Sequence, residues 1–428
     1  MDYTPYYNIS VVGEFVELVE KHVEPNTQIE IKPLNKTTCL KNSEKYSVIR
    51  YNKNLLTSDS IKTHGLFRSV ILNKLNNVVC FSPPKSVDAE EFMKAYPEPT
   101  SDENKNKIVA EEFVEGTMIN VFWDPAVGLN GAWEIATRNT VGGESAFYKK
   151  PGSKTFKTMF LEALSENNLH LDGLCREYCY SFVLQHPENR IVVPFTSKQL
   201  YLVAIYSIVN KENDVHVYIH SLDRIKNLGL WSATGIKFPE QYIGYTYEQL
   251  IEKFASHNTP YNVVGFMLKN LETGVRCKVK NPVYEEVRKL RGNQPKIQYQ
   301  YLMLRKEGKV KDFLKYYPEC KKEFSMYRDQ VHNFTQCLYN MYVSCYIKKT
   351  EPLIKFSEQY RTHMFNIHQQ YLKELKPNKQ HITNTFVINY VNNLPTTLLM
   401  HSLNYSLKQR SVDLIISGST NEEHISPE

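Results

Sequence analysis

The sequence has no long apolar run. No stretch of about 18 apolar residues occurs among its 428 residues, so we expect no transmembrane helix. The first ten residues, MDYTPYYNIS, lack a basic region followed by an apolar one. We therefore expect no secretory signal and a cytoplasmic protein. The eight cysteines are scattered, and only Cys175 and Cys179 are close, with no matching Cys or His pair after them. Reduced thiols are the expected state, and a zinc site is the alternative.

Signatures of several enzyme classes are also missing. The chain has no Walker loop, no Rossmann glycine pattern and no arrangement of nucleophile and base. The histidines of the C-terminal part do not share metal-ligand spacing on one helix face; they are His332, His363, His368, His381 and His401. We therefore expect neither a metal site nor a resident cofactor.

Positive charge is concentrated in the C-terminal part. The net charge is +6, but residues 296–412 hold 18 Lys and Arg against 8 Asp and Glu, an excess of 10. The remainder, with 34 against 38, is slightly acidic. A basic region of this kind is typical of proteins that bind polyanions, although a solvated basic face is the alternative.

Short runs rich in β-branched and aromatic residues predict strands through the first 290 residues. The runs are YSVIRY, SVIL, NVVCF, MINVFW, AWEIAT, YSFVL, RIVVPF, LYLVAIYSIV, VHVYIHSL and VVGFMLK. Two stretches with helical spacing of apolar residues, KTFKTMFLEALSE and YTYEQLIEKFAS, interrupt them. From about Pro295 the spacing becomes helical throughout, notably over 324–341, 353–371 and the stretch ITNTFVINYVNN. These patterns predict an α+β body followed by an all-helical, basic domain.

Seven segments of the body occur in a recognisable order. They are GLFRSVI (65–71), FSPPKS (81–86), EEFVEGTM (111–118), WEIATRNT (133–140), YSFVLQHPENRIVV (180–193), VVGFMLKN (263–270) and CKVKNPVY (277–284). In this order they resemble the motifs of the phage- and virus-type RNA ligases, which belong to the covalent nucleotidyltransferase superfamily. The resemblance covers about residues 60–290 and implies antiparallel sheets flanked by helices.

The resemblance also implies a chemistry whose side chains are absent. In these ligases a lysine attacks the α-phosphate of ATP, and two glutamates support ribose binding and metal coordination. The matching positions hold Phe113, Val183 and Val264. Phenylalanine cannot attack phosphorus, and valine cannot ligate magnesium. The sequence therefore predicts a ligase fold without catalytic activity.

Cations at the family's phosphate-contacting positions are retained. We expect them to hold a nucleotide, residual ATP binding included, or an RNA phosphate. Surface solvation or an ion pair with a nearby acid is the alternative. Asn189 and Arg190 are expected to order the loop before their strand. The retained cations are Arg138, Lys278 and Lys280, with Arg68 and Lys85 in the preceding segments.

Another lysine is a conceivable substitute for the missing nucleophile. Lys85, Lys105 and Lys107 lie nearest in the sequence. A nucleophilic lysine needs a lowered pKa, and nothing in the sequence marks any of the three as desolvated. A displaced nucleophile is therefore the less favoured hypothesis.

The segment RKEGKVKDFLKYYPECKKEF (305–324) alternates basic clusters with aromatic residues. Lys and Arg can neutralise phosphates, while Tyr and Phe can stack on unpaired bases. The candidate RNA-binding residues are Lys306, Lys309, Lys311, Tyr316, Tyr317, Lys321 and Lys322. The alternative is that Phe313, Tyr316 and Tyr317 are core residues. In the RNA ligase family such a helical domain recognises RNA, often a tRNA broken in its anticodon loop.

The resemblance gives the domains their roles. We predict the N-terminal part of the nucleotidyltransferase-like body over 1–95 and the degenerate core over 96–294, which begins at the charged loop YPEPTSDENKNK. A basic helical RNA-binding domain over 295–413 and a disordered tail over 414–428 follow.

The sequence as a whole predicts a non-catalytic RNA-binding protein, with tRNA as the expected partner. Length and the bias toward Asn, Lys, Tyr and Ile further resemble the immunity proteins of yeast linear cytoplasmic killer plasmids. That resemblance implies protection against a toxin that cuts tRNA anticodon loops, with a toxin subunit as a second candidate partner. Two alternatives stay open. One is an active ATP-dependent ligase that repairs cleaved tRNA through a displaced nucleophile. The other is an accessory subunit of a viral or plasmid replication apparatus.

Overall fold

The computed structural model divides the chain into two compact units, residues 1–288 and 289–428. The residues that it describes are 6–10, 12, 15, 31–33, 38–42, 45–97, 99–101, 104–105, 107–147, 152–211 and 214–407. The predicted tail over 414–428 lies outside them. No helix within these ranges is both long and apolar enough to cross a membrane.

The first unit is built on three antiparallel sheets. Its strands are β1 (Tyr6–Asn8), β2 (Ile31–Pro33), β3 (Thr38–Asn42), β4 (Ser47–Tyr51), β5 (Val70–Leu72), β6 (Val78–Phe81), β7 (Ile108–Glu112), β8 (Thr117–Asp124), β9 (Ala132–Ala136), β10 (Tyr178–Gln185), β11 (Gln199–Lys211), β12 (Asp214–Ile219), β13 (Gln241–Tyr242), β14 (Gly265–Asn270) and β15 (Arg276–Lys280). A six-stranded sheet has the order β1-β12-β11-β10-β8-β9. A four-stranded sheet has the order β13-β7-β14-β15, and a five-stranded sheet runs β2-β3-β4-β5-β6.

Helices flank these sheets and make up the second unit. In the first unit they are α1 (Ser58–Ile61), α2 (Ala89–Ala95), α3 (Phe156–Glu166), α4 (Leu222–Ile225), α5 (Gly229–Ser232), α6 (Tyr247–Phe254) and α7 (Pro282–Arg291), which runs into the second unit. The second continues with α8 (Ile297–Lys306), α9 (Val310–Tyr316), α10 (Lys321–Tyr342), α11 (Glu358–Gln370), α12 (Asn384–Asn393) and α13 (Thr396–Leu403). The predicted α+β architecture with a helical C-terminal region is confirmed.

Side chains alternate along the strands, and this alternation determines which face of each sheet is buried in a hydrophobic core. One face of the six-stranded sheet packs on α3, where Phe160 contacts Phe182 with ring centroids 5.7 Å apart. The four-stranded sheet buries Phe266 and Leu268 with Phe92 of α2 and Leu250 of α6. Because successive residues of a strand point to opposite faces, the intervening residues of β7, β14 and β15 line the other face of the four-stranded sheet.

One predicted strand is wrong. The run RIVVPF (190–195) is an irregular loop rather than a strand. Its backbone does not pair with a neighbouring strand, because the buried carboxylate of Glu115 accepts hydrogen bonds from the amides of Val192 and Val193, both at 2.8 Å. A pattern of β-branched residues indicates that a segment is buried. It does not show which group each backbone amide forms a hydrogen bond with.

Candidate functional site

The chain crosses from the four-stranded to the six-stranded sheet at residues 113–116. β7 ends just before this segment and β8 begins just after it. Gly116 has φ +151°, and a Cβ at this position would lie 2.5 Å from the backbone oxygen of Leu184 and 2.6 Å from Cγ1 of Val183. Only glycine fits here, and its close approach seats the crossing segment against β10.

The three positions that the sequence resemblance assigns to catalysis meet at this crossing. Phe113 is its first residue, and Val183 contacts its last, Gly116. In the pairing of β7 with β14, Glu112 lies opposite Phe266, so the next step of the register brings Gly265 opposite Phe113. Val264 directly precedes that glycine. The site thus consists of the Phe113 ring and two valine side chains. Val183 and Val264 are each 6% exposed.

Cations line the face of the four-stranded sheet that is opposite its hydrophobic core. Along β15, Cys277 and Val279 belong to the core, so Arg276, Lys278 and Lys280 project from the opposite face. The Nζ of Lys278 lies 5.9 Å from the centroid of the Phe113 ring. An ammonium group therefore stands next to the position where the resemblance places the nucleophile.

The segment FSPPKS brings further positive charge to this strand. Arg276 donates from Nε to the carbonyl of Pro84 at 3.0 Å and from Nη2 to that of Pro83 at 3.4 Å. Burial and the charge of Arg276 lower the pKa of Arg68 to about 10. Burial and the charge of Arg68 also lower the pKa of Lys85. These shifts place the two residues of the preceding segments within electrostatic reach of β15.

Lys278 is the most strongly affected of these cations. Burial, followed by repulsion from Lys280, Lys85, Arg68 and Arg276, lowers its pKa to about 7. Every charged group that shifts it is itself a cation. Converging like charges of this kind create a positive potential on this face of the sheet.

Arg138 lies beside this group rather than in an ion pair. Its guanidinium stands over the Tyr51 ring, 4.8 Å from the centroid, and its Nε donates to the carbonyl of Arg68 at 3.5 Å. Lys280 does have an acidic partner, because its Nζ lies 2.7 Å from Oε1 of Glu285. Below, the "cation cluster" means Arg68, Lys85, Arg138, Arg276, Lys278 and Lys280.

The carboxylates near the crossing are already engaged. Glu111 forms an ion pair with Lys269. Glu115 accepts from the hydroxyl of Tyr284 at 2.8 Å in addition to two backbone amides. Valine side chains offer no oxygen, so the residues at the crossing do not fit a divalent metal ion. Within the described ranges, no group of three or more His, Cys, Asp or Glu is placed to hold one.

A cavity of about 430 Å³ lies between the six-stranded and four-stranded sheets. Val203 and Tyr206 of β11 line one side, and Glu111 and Lys269 line the other. Arg276 belongs to both this cavity and the cation cluster. The cavity is within the size range of small-molecule sites and borders the cation cluster.

Asn189 and Arg190 contact the loop on which they lie. Asn189 is 5% exposed and donates from Nδ2 to Oγ1 of Thr117 at 2.8 Å. Arg190 donates from Nε to the carbonyl of Val192 at 3.0 Å. Both contacts fix the loop that follows β10, although the strand that the sequence predicted after this loop does not form.

The predicted RNA-binding segment of the helical unit is only partly exposed. Tyr317 is 3% exposed and its ring stacks on that of Phe313, with centroids 4.6 Å apart. Assigning Tyr317 to base stacking is therefore wrong, because both rings belong to the core. Tyr316 is half-buried, with Nζ of Lys315 5.4 Å from its centroid. The five predicted lysines are exposed: Lys306, Lys309, Lys311, Lys321 and Lys322.

The cysteine pair does not form a zinc site. Cys179 is buried on β10, and its Sγ lies 3.5 Å from Sγ of Cys80. Cys175 is exposed.

Comparison with known proteins adds a relationship to RNA ligases. No family model matches the chain. It is 25% identical over 260 residues to the immediate-early protein ICP-46 homolog of Invertebrate iridescent virus 6, covering 56% of this chain and 53% of that protein. It is 24% identical over 232 residues to an RNA ligase of Rhodothermus phage RM378, covering 47% and 50%. The chain thus spans about half the length of the curated relatives that it matches.

Solved structures of the Naegleria gruberi RNA ligase are also similar. A variant with AMP and Mn matches 48% of this chain and 57% of that chain, with 13% identity and a TM-score of 0.32. Another variant, with ATP and Mn, matches 61% and 95%, with 12% identity and a TM-score of 0.30. The sequence similarity to the phage enzyme relates about half of this chain to an RNA ligase.

Proposed function

We propose that this protein is a catalytically inactive, RNA ligase-like protein that binds RNA. The observation that carries the proposal is the crossing segment. Cations converge on it, whereas Phe113, Val183 and Val264 occupy the positions at which RNA ligases need a nucleophile and two carboxylates. Such a cleft can hold phosphates but lacks the groups that activate and transfer them.

The cation cluster supports phosphate binding on electrostatic grounds. Repulsion among Lys278, Arg68 and Arg276 disfavours the fully charged state of the empty site, as the lowered pKa of Lys278 indicates. A polyphosphate or an RNA backbone would relieve that repulsion and bind with uptake of a proton. An ATP molecule held without turnover and an RNA phosphate are both compatible with this chemistry.

We further propose that the RNA is tRNA, and that the protein confers immunity to a plasmid-encoded anticodon nuclease. Support comes from the similarity to an RNA ligase and from the basic helical unit, since a relative of RNA-joining enzymes is suited to recognise the RNA that a nuclease cuts. Protection would then follow from masking the tRNA rather than from repairing it. Binding of a toxin subunit is the other route to protection.

The test combines two measurements on the full chain. RNA crosslinked to the protein in cells and then sequenced is expected to be enriched in tRNA. Purified protein incubated with α-labelled ATP and either magnesium or manganese is expected to form no covalent adduct. Absence of bound RNA refutes the binding function, and an adduct that survives denaturation refutes the inactive assignment.

An active ligase with a displaced nucleophile is the second candidate, and Lys278 is the observation that favours it. This lysine is a better substitute than Lys85, Lys105 or Lys107, because its pKa of about 7 leaves much of the amine neutral at physiological pH. Its Nζ would attack the α-phosphorus of ATP and form a P–N bond. The bond from that phosphorus to the bridging oxygen of the β-phosphate would break, pyrophosphate would leave, and the amine proton would pass to solvent.

Variants of Lys278 separate the two candidates. If an ATP adduct forms, Lys278→Arg should abolish it while preserving positive charge. Lys280→Met is the matched control, because it removes a lysine from the same face of β15 without removing the amine next to Phe113. An adduct retained by Lys278→Arg would exclude Lys278 as its site.

A further inference from the structure

The helical unit contains a column of stacked rings that the sequence patterns did not reveal. Tyr346 and His368 stack with centroids 3.9 Å apart and an interplanar angle of 14°. Tyr371 also stacks on His368, at 5.8 Å and 28°. Tyr342 lies beneath them, 2% exposed, with its hydroxyl 3.3 Å from Nδ1 of His368. Tyr342 is core, whereas the other three rings are half-buried and reach the surface.

The column is built where two helices end in the same unusual way. α10 continues into a π-helical turn over Val343–Ile347, and α11 continues into another over Tyr371–Leu375. Each turn is closed by a bond to the residue five positions back, from Lys348 to Val343 and from Lys376 to Tyr371, both at 2.8 Å. Turns of this type rotate side chains away from their α-helical positions and are frequent at functional sites.

Lysines surround the exposed edge of the column. Residues 343–350 and 371–380 contain five lysines and one acidic residue, Glu374. All five are exposed; they are Lys348, Lys349, Lys373, Lys376 and Lys379. Within the described ranges none of them forms an ion pair. The charge of Lys376 also helps to lower the pKa of His368, after burial, so this lysine stands within electrostatic reach of the rings.

We propose that the ring column Tyr346–His368–Tyr371 and the lysines around it form a stacking site for an unpaired base of single-stranded or loop RNA. The proposal rests on the proposed RNA-binding function and gives it a location. An end ring of the column offers a face for one base, and the lysines neutralise the phosphates on either side. Tyr371 is the favoured end, because its ring contacts among the described residues are with His368 alone.

A structural role for the lysines is the competing explanation. Cations near a helix C-terminus stabilise the helix through its dipole, by about 0.3–1 kcal/mol each. That role needs one or two lysines in the last turn, whereas four of the five lie beyond the π turns, namely Lys348, Lys349, Lys376 and Lys379. Stabilisation of the helix dipole also does not explain why a ring column reaches the surface. The two explanations differ in what a substitution changes, namely RNA affinity or thermal stability.

The experiment measures binding of labelled tRNA and of an isolated anticodon stem-loop to the full-length protein by fluorescence anisotropy. Tyr371→Ala is expected to weaken binding by about 5- to 150-fold, the range for the loss of one base stack. Tyr371→Phe keeps the ring and should bind like the wild type. The double variant Lys376→Glu, Lys379→Glu should weaken binding and flatten its salt dependence.

A matched control comes from another surface of the same unit. Tyr316→Ala removes a half-buried tyrosine that has Lys315 as a neighbour and lies outside the ring column Tyr346–His368–Tyr371. Tyr371→Ala must weaken binding more than Tyr316→Ala does. Equal affinity of Tyr371→Ala and wild type, with unchanged melting temperature, overturns the stacking site and leaves RNA binding intact. If the wild type itself binds neither RNA, the proposed function has failed as well.

The proposal can still be tested if the Tyr371→Ala variant does not fold. In that case the lysine pair becomes the deciding variant, because both side chains are exposed. Wild-type affinity of a folded Lys376→Glu, Lys379→Glu protein then refutes the site.

Discussion

Lys278 shows how strongly burial and neighbouring charges act on a single side chain. Its pKa of about 7 is low because it is buried among other cations. A lysine in the unfolded chain has a pKa of about 10.4. Folding therefore releases a proton from Lys278 between these two pH values. The sequence resemblance groups this residue with Arg68 and Lys85, but it does not show that Lys278 is buried, because those neighbours come from segments about 200 residues away.

The first prediction concerns the pH dependence of stability. Because the folded-state pKa of Lys278 is depressed, its burial costs most below pH 7, where the charged form must be accommodated. That cost diminishes as pH rises from 7 toward 10. Lys278→Met should therefore raise the melting temperature at pH 6, by about 2–4 °C per kcal/mol relieved, and the gain should shrink at pH 9.

Lys280→Met is the control for this measurement. It removes a lysine from the same strand face, but one that is paired with Glu285 at 2.7 Å. A stabilisation of Lys278→Met that does not change between pH 6 and pH 9 would contradict the electrostatic explanation.

The second prediction concerns Phe113. Phe113→Lys restores an amine at the crossing but no oxygen ligand at Val183 or Val264, so we expect no ligation of nicked RNA in magnesium or manganese. Gel electrophoresis of a labelled nicked substrate is the measurement. Joining by this single variant at a rate near that of an active phage RNA ligase, run in parallel, would mean that the three positions have been assigned incorrectly.

At the scale of elements, the sequence predicts strands and helices better than it predicts which groups pair. The long alternating runs of β8, β10 and β11 and the helical spacing of α3 were identified because side-chain period determines their exposure. The run RIVVPF has the same composition, yet its amides bind the carboxylate of Glu115. The sequence does not predict the π turns or the stacked rings, for a related reason. His368 and Tyr371 are three residues apart on one helical segment, but only the packing of two helices brings Tyr346 to them.

The third prediction tests the anchoring role of Glu115. Its carboxylate accepts from the amides of Val192 and Val193 and from the hydroxyl of Tyr284, each at 2.8 Å. Glu115→Ala leaves three buried donors without an acceptor and should lower the free energy of unfolding by about 2–5 kcal/mol. Hydrogen exchange at Val192 and Val193 should accelerate more than exchange in β10.

Glu188→Ala is the comparison variant. Its carboxylate is half exposed and forms a surface ion pair with Lys154 at 2.8 Å, so its loss should cost no more than about 1 kcal/mol. Equal destabilisation by Glu188→Ala and Glu115→Ala would remove the basis for the anchoring role.

At the scale of the whole molecule, the charge is divided between two units of opposite sign. The body is slightly acidic and contains the cation cluster, whereas residues 296–412 have an excess of 10 positive charges. A polyanion such as RNA would therefore gain most of its electrostatic attraction from the helical unit. The cation cluster of the body is better suited to one or two phosphates than to a long backbone.

The last prediction follows from this division. Each phosphate neutralised releases condensed counterions, so log affinity should fall with log salt at about −0.7 per phosphate of a single strand. If about four to six cations engage RNA, the affinity should drop by roughly two orders of magnitude over a several-fold rise in salt. Reversing Lys306, Lys309 and Lys311 to glutamate should weaken binding and flatten the slope, because all three are exposed on the helical unit. The double variant Lys278→Met, Lys280→Met should change the slope by no more than about one phosphate. A slope that changes only in the second variant would move the main RNA contacts to the body and make the basic helical unit a solvated surface.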